Sequence, residues 1–262
     1  MSRLKLRLGQ FAVLVGAGSL GVLALVFDGV VDPSQYEAVA AEAGLSVETV
    51  LLASALQVHV LLAAAVAAGL YAAPRVGFDS HLANRVADGT PVVSGIRPEL
   101  RPAVGAGTAV GAMLLAAELV APEIPNGEAW EMTVPALLQS LPLRVLYGGI
   151  TEELLLRWGV MAVLAFVLWT VTGRRGAEPS AGIAWAAIAI AAVLFGVLHL
   201  PMAATIYGAL TPAVVAFIVG ANAVGGVAFG WLFWRYSLEA AMVAHAFAHV
   251  VAVAGWLVAL LV

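Results

Sequence analysis

The sequence contains no cysteine and few charged residues. Without cysteine, disulfide bonds, iron–sulfur clusters and a catalytic thiol are excluded. Only 11% of the 262 residues are charged and 63% are hydrophobic, whereas about a quarter of the residues in a soluble domain are charged. Lys5 is the only lysine among the basic residues, and this preference for arginine suggests a prokaryotic source. The chain is therefore predicted to be a membrane protein.

Seven apolar segments are near or above the ~20 residues that cross a bilayer as a helix. They lie at about 8–31, 49–73, 103–121, 136–172, 181–201, 212–234 and 239–262. Their Ala-, Leu-, Gly- and Val-rich composition favours helices over a membrane barrel. We predict an all-α fold, a polytopic transmembrane helical bundle with seven spans. The number is eight if Pro135 and Pro142 separate a short re-entrant piece from the fourth span.

Basic residues precede the first segment and then occur in every second connection. They are Arg3, Lys5 and Arg7, then Arg75, Arg85, Arg97 and Arg101, then Arg174 and Arg175, and finally Arg235. The other connections carry acids alone or no charge, as at 28–48 and at Glu123, Glu128 and Glu131. Because basic residues accumulate on the cytoplasmic side, we predict an integral plasma-membrane protein with its N-terminus in the cytoplasm and its C-terminus outside.

Glycines recur at short intervals within the apolar segments. Residues 16–21, GAGSLG, match the dinucleotide-binding pattern, but that fingerprint requires a strand, a turn and a helix in a soluble unit. Close helix packing explains this stretch better, and it also explains the glycines four residues apart at Gly107 and Gly111 and at Gly226 and Gly230.

Ionisable side chains inside spans cost about 2.5–3.5 kcal/mol each and usually mark function. In the second half of the chain they are Glu152, Glu153, Arg157, His199, His245 and His249. In the first half they are His59 and Glu118.

The stretch GGITEELLLRWG, residues 148–159, places two adjacent acids and an arginine in the fourth segment. Glu153 and Arg157 are four residues apart with the acid first, so Arg157 is expected to neutralise Glu153. On an α-helix Glu152 is rotated by ~100° and is expected to point to another face, towards another partner. The alternative is a structural ion pair with one spare acid near a water-filled rim.

Three histidines accompany these acids. His245 and His249 share one helix face, the spacing that presents two imidazoles to one metal ion, although a proton relay is an alternative. His199 ends a span, where a histidine is as often interfacial as functional. A carboxylate base and three nitrogen donors are the groups needed to activate a water molecule.

The stretches EELLLR, FGVLH and HAFAH resemble the E-E-x-x-x-R, F-x-x-x-H and H-x-x-x-N/B motifs of the CPBP family. This family comprises CAAX proteases and bacteriocin-processing intramembrane endopeptidases, also called the Abi family. The resemblance covers about residues 135–255. Its motif positions fall on Glu152, Glu153, Arg157, Phe195, His199 and His245. At the fourth motif position the family usually has asparagine, whereas this chain has His249.

The resemblance implies an intramembrane endopeptidase that hydrolyses membrane-associated or C-terminal peptide substrates. In one mechanism, Glu152 and His199 activate water while His245 and His249 stabilise the oxyanion. In the other, His199, His245 and His249 hold a zinc ion, which the extra histidine favours.

The resemblance also divides the chain. Residues 1–122 become accessory transmembrane helices with an inner Arg- and Pro-containing loop, and residues 135–262 become the catalytic bundle. Residues 1–120 are then expected to be peripheral to the chemistry, with His59 packed or at the lipid interface and Glu118 at the outer rim.

Two other functions use the same residues. A proton-coupled transporter could employ the acid–histidine chain, but the sequence lacks an inverted repeat and paired broken helices. A non-catalytic immunity or scaffold protein could retain the fold. In each case we expect a bilayer environment and no nucleic-acid partner, and the sequence predicts no particular oligomeric state.

Overall fold

The structure, a computed structural model, describes residues 3–122, 133–174 and 178–261, and within them every regular element is a helix. The α-helices are α1 (Arg3–Val31), α2 (Ser34–Ala43), α3 (Val47–Ala72), α4 (His81–Asp88), α5 (Val92–Ile96), α6 (Leu100–Ala117), α7 (Val134–Pro142), α8 (Ala162–Val171), α9 (Ala181–Leu198), α10 (Leu200–Tyr207), α11 (Pro212–Arg235) and α12 (Leu238–Ala259). The all-α prediction is confirmed. Glu123, Glu128, Glu131 and Arg175 lie outside the described residues.

Seven helical stretches of the described chain are long and apolar enough to cross a membrane. They are Arg3–Val31, Val47–Arg75, Val92–Val120, Val134–Val171, Ala181–Tyr207, Pro212–Arg235 and Leu238–Ala259. Large apolar side chains on their outer surfaces are exposed, for example Leu23 at 64% and Leu52 at 68%. This surface suits lipid rather than water, so the protein is an integral membrane protein, and its described residues contain seven candidate spans.

The fourth span is one continuous helix of 38 residues. This helix continues through Pro142. The described residues therefore contain no separate re-entrant piece before the fourth span, and the eight-span alternative is wrong. Proline has no N–H to donate to the preceding turn, and directly after it the helix changes character. Residues Leu143–Glu152 and Leu154–Met161 are π-helical, and they connect α7 to α8.

Serine and threonine residues start many of the helices. Each side-chain oxygen accepts the backbone N–H three residues ahead, which satisfies one of the unpaired donors of the first turn. This contact is made by Ser46, Ser80, Thr133, Ser180, Thr211 and Ser237.

Hydrogen bonds between connections that are far apart in the sequence hold several chain segments together at one end of the bundle. The buried Glu239 carboxylate accepts Ser80 Oγ at 2.7 Å and the backbone N–H of His81 at 2.9 Å. Ser237 donates to Glu99 Oε2 at 2.5 Å. The arginine-containing connection at 74–102 is thereby fixed against the start of α12, at the end where α11 finishes with Arg235.

The recurring glycines pack as predicted. An added methyl group would meet backbone or side-chain atoms of a neighbouring helix at 2.2 Å for Gly21, 2.5 Å for Gly107, 2.6 Å for Gly111 and 2.8 Å for Gly226. Gly16 differs, because open space surrounds it. Small residues therefore permit the close helix approach that a membrane bundle requires.

We predict that Gly111→Ala destabilises the protein whereas Gly105→Ala does not. The first methyl group would lie 2.6 Å from the Ala248 carbonyl oxygen of α12, while nothing lies within 4 Å of the second. Forcing the two backbones apart costs about 1–3 kcal/mol. Thermal unfolding of purified protein in detergent is expected to show a Tm several degrees lower for Gly111→Ala only. Equal Tm values for the two variants would contradict this packing.

Candidate active site

The polar residues predicted from the motifs lie on three spans. The two π-helical segments contain Glu152 and Arg157, and Glu153 lies between them. His199 follows the last residue of α9 and begins the turn into α10. His245 and His249 lie near the middle of α12.

Glu153 is the centre of a buried ion pair. Its side chain is fully buried, and its Oε2 lies 3.2 Å from Arg157 Nε, as the sequence predicted for this pair. Its other oxygen, Oε1, is 2.8 Å from His245 Nδ1. Arg157 also donates to the Gly226 carbonyl at 3.4 Å. One carboxylate thereby joins the fourth span to α12, and its arginine reaches α11.

Glu152 contacts the opposite edge of the same imidazole. Its Oε2 lies 3.9 Å from His245 Nε2, and its side chain remains 18% exposed. Glu152 thus has a partner other than Arg157, as expected, although that partner is the imidazole that Glu153 also contacts. Two adjacent glutamates therefore flank one ring, Glu153 at Nδ1 and Glu152 at Nε2.

His245 and His249 stack on each other and face a common space. Their ring centroids are 5.0 Å apart at an interplanar angle of 27°. A methyl group added to Gly148 would lie 2.8 Å from His249 Nε2 and 3.6 Å from His245 Nε2. Both Nε2 atoms are therefore directed at the same point on the fourth span, where the absence of a side chain leaves room between them.

His199 approaches this group through Phe195. Its Nδ1 is 2.7 Å from the Phe195 carbonyl oxygen. Because a carbonyl can only accept, Nδ1 carries the proton and Nε2 is the unprotonated nitrogen of the neutral ring. The Phe195 ring lies edge-on to His199 at 4.7 Å and to His245 at 5.8 Å.

Two aromatic rings enclose the buried charge. The Arg157 guanidinium lies 4.8 Å from the centroid of Phe195 and 5.6 Å from that of Phe229. Phe229 also stacks on His245 at 4.5 Å. Sequence analysis did not identify Phe229 or Gly148. Two features of the sequence could have indicated them: the Gly148–Gly149 pair before the glutamates, and the glycines at 226 and 230 that flank Phe229.

The first half of the chain supports these helices through a hydroxyl hydrogen bond and close backbone packing. Thr151, next to Glu152, donates its hydroxyl to the Gly18 carbonyl of α1 at 2.6 Å. Gly107 and Gly111 of α6 pack against the backbone carbonyls of Ala244 and Ala248. These two alanines immediately precede the two histidines of α12. The division of the chain at residues 122 and 135 stays a prediction.

The two polar residues of the first half lie away from this cluster. His59 packs between α3 and α1, with Nδ1 at 2.9 Å from the Ala55 carbonyl and Nε2 at 3.2 Å from Ser19 Oγ. Its predicted packed position is confirmed. Glu118 is exposed, in a short turn after α6.

The sequence analysis overlooked one further charge within the fourth span. Arg144 lies one turn before Gly148, and its Nε donates to Ser140 Oγ at 3.0 Å. Its guanidinium is 5.3 Å from the Trp256 ring centroid on α12. The sequence did not single out Arg144, because its neighbours are mostly apolar and because it belongs to none of the three motifs.

The donors only partly suit a zinc ion. Imidazole nitrogens are zinc ligands, and a carboxylate on the far nitrogen, as Glu153 provides for His245, is the usual support of such a ligand. Among the described residues, however, no three histidine, aspartate or glutamate side chains are grouped so that they could hold a metal ion. The zinc hypothesis stays a prediction, and the roles proposed for the side chains in peptide hydrolysis do not require a zinc ion.

Comparison with known proteins gives one match. Residues 134–251 match the family model described as type II CAAX prenyl endopeptidase Rce1-like. No curated protein and no solved structure matches the chain. The matched residues include all three motifs and the buried cluster, and they exclude α1 to α6. Residues 134–251 therefore form a domain of the Rce1-like, type II CAAX prenyl endopeptidase family, as the three motifs predicted.

Proposed function

We propose that this protein is an intramembrane endopeptidase that cleaves membrane-associated peptides with a water molecule activated by Glu152. The observation that carries the proposal is the position of one imidazole, His245, between a buried acid and a partly exposed one. The buried acid orients the ring, which leaves the exposed acid free for proton transfer.

Glu152 is the best general base in the cluster. Glu153 is fully buried and already occupied by Arg157 and His245, whereas Glu152 retains exposure. The 3.9 Å between Glu152 Oε2 and His245 Nε2 is too long for a direct hydrogen bond and suits a water molecule bonded to both. Glu152 would remove a proton from this water, whose oxygen would attack the scissile carbonyl carbon. It would then pass the proton to the departing amine nitrogen as the C–N bond breaks.

The histidines are assigned to orientation and to charge stabilisation. His245 donates Nδ1–H to Glu153, so its Nε2 accepts a hydrogen bond from the attacking water. His199, with Nδ1 bonded to a carbonyl, has an unprotonated Nε2, which is the alternative to His245 Nε2 as acceptor of the water's second proton. His249 forms no hydrogen bond within the described residues that would fix its tautomer, so its Nε2 can carry a proton and donate to the oxyanion beside Gly148.

Glu153 and Arg157 act as positioning residues. The carboxylate holds His245 in one tautomer and one orientation, and the arginine balances the charge that Glu153 would otherwise bury alone. Removing one member of a buried pair costs about 3–5 kcal/mol, because it strands the other. This geometry therefore depends on both residues.

The substrate and the orientation in the membrane are inferred from the family and the charge distribution. A peptide attached to or inserted in the bilayer, cleaved near its C-terminus, fits the family description. The basic connections support a cytoplasmic N-terminus and an external C-terminus in a plasma membrane.

We predict that Glu152→Gln abolishes peptide hydrolysis, while Glu118→Gln leaves it within a few-fold of the parent. Glutamine keeps the shape of glutamate but cannot accept the proton, and Glu118 is an exposed acid that belongs to none of the three motifs. Purified variants would be assayed on a peptide library in proteoliposomes, with Tm values as a folding control. A Glu152→Gln variant that still cleaves, or a Glu118→Gln variant that does not, would contradict the assignment of the base.

We expect His249→Asn to retain most activity and His249→Ala to lose about 10²–10³-fold, the usual cost of removing one oxyanion donor. Asparagine can still donate a hydrogen bond, as it does in the family motif. Chelator treatment and elemental analysis of the parent protein would accompany these assays. The zinc hypothesis makes the opposite prediction, with bound zinc, loss of activity on chelation and an inactive His249→Asn variant.

A further inference from the structure

A groove on the lipid-facing surface between α1 and α3 has two arginines at one end. Its volume is about 390 Å³, and it is lined by Arg7, Leu8, Phe11, Ala67, Leu70, Tyr71 and Arg75. Apart from the two arginines, the lining side chains are apolar or aromatic. The groove lies outside the candidate active site and shares no residue with it.

Both arginines bind backbone carbonyls near the end of α3. Arg7 donates to the Leu70 carbonyl and Arg75 donates to the Tyr71 carbonyl, which are consecutive along the helix. The Arg75 guanidinium also lies 3.8 Å from the Tyr71 ring centroid. The C-terminal end of a helix carries about half a negative charge, which cannot balance two full positive charges. The site has a surplus of positive charge.

Acidic side chains of the described chain do not pair directly with either arginine. None of the ion pairs among the described residues involves either arginine. Asp79 lines a neighbouring cavity that Arg7 also lines, but its Oδ1 accepts a hydrogen bond from Asn84. Glu178 lies against Gly77. Each guanidinium therefore keeps N–H groups that can bind an external anion.

The apolar part of the groove extends from the arginines towards the middle of the spans. Leu8 and Phe11 follow Arg7 by about one turn of α1. Ala67 of α3 lies about two turns before Arg75, which follows the end of α3. A ligand that fits this order has an anionic group at the membrane surface and a hydrocarbon portion directed into the bilayer. A free inorganic anion would leave the apolar wall uncovered.

We propose that this groove binds one anionic phospholipid. The phosphate lies between Arg7 and Arg75, and an acyl chain lies along Phe11, Ala67 and Tyr71. Basic pockets between transmembrane helices are a common form of headgroup recognition, and two guanidinium groups suit the oxygens of a phosphate diester. The site is independent of peptidase activity and would exist in an inactive variant.

The test measures lipid binding to the full-length protein in detergent by native mass spectrometry. Phosphatidylglycerol and phosphatidylcholine with identical acyl chains are titrated separately, and glycerol 3-phosphate serves as a headgroup competitor without chains. We expect tighter binding of phosphatidylglycerol, weakened roughly 5-fold by R7Q or R75Q alone and roughly 30-fold by the double variant.

Two further variants separate the lipid from simpler explanations. R85Q is the matched control, because Arg85 also donates to a backbone carbonyl, that of Gly89, but lies outside the groove. It is expected to leave phosphatidylglycerol binding unchanged. Ala67→Trp fills the apolar wall and leaves both arginines intact, and it is expected to weaken binding about as much as loss of one arginine.

Three results would overturn the proposal. The first is equal affinity for the two lipids, and the second is an R85Q effect as large as that of R7Q. The third is full competition by glycerol 3-phosphate together with normal binding to Ala67→Trp, which would indicate an anion site without a lipid. If the double glutamine variant fails to fold, as judged by its Tm, Ala67→Trp and the comparison of the two lipids still decide the question.

Discussion

The buried carboxylate of Glu153 is the interaction on which this bundle depends. In a bilayer core an isolated charge is expensive, and the structure meets this cost by surrounding one carboxylate with a guanidinium and an imidazole. The guanidinium is in turn enclosed by two aromatic rings and a backbone carbonyl. Three further spans, α9, α11 and α12, supply these partners, so the position of one acid fixes how four helices meet.

The chemical asymmetry of the site follows from that constraint. Because Glu153 accepts a hydrogen bond from the Nδ1–H of His245, the other nitrogen of the ring is available on the side where Glu152 is partly exposed. Two neighbouring acids with the same chemistry thus differ in burial and in partners, and this difference supports the separate roles proposed for them. The arrangement also requires the backbones of neighbouring helices to approach one another closely. Gly148 leaves space for two imidazoles, and the glycines of α6 let that helix support α12 from behind.

Much of this architecture could be predicted from local sequence patterns. The apolar runs predicted seven spans, and four-residue spacing predicted both the Glu153–Arg157 pair and the shared face of His245 and His249. The sequence also predicted that Glu152 needs a partner other than Arg157, but not that this partner is His245 on another span. Phe229, Gly148 and Arg144 were missed for the same reason. Their importance arises from contacts between spans, which the periodicity of a single segment does not contain.

The order in which the chain is made gives the Glu153–Arg157 pair a second consequence. His245 is 92 residues further along the chain than Glu153, so during synthesis the fourth span reaches the membrane before the last span exists. At that stage the only partner available to Glu153 within its own helix is Arg157, one turn away. An intrahelical pair lowers the cost of inserting the two charges together. Membrane insertion, and not only the finished fold, therefore favours an arginine four residues after this glutamate.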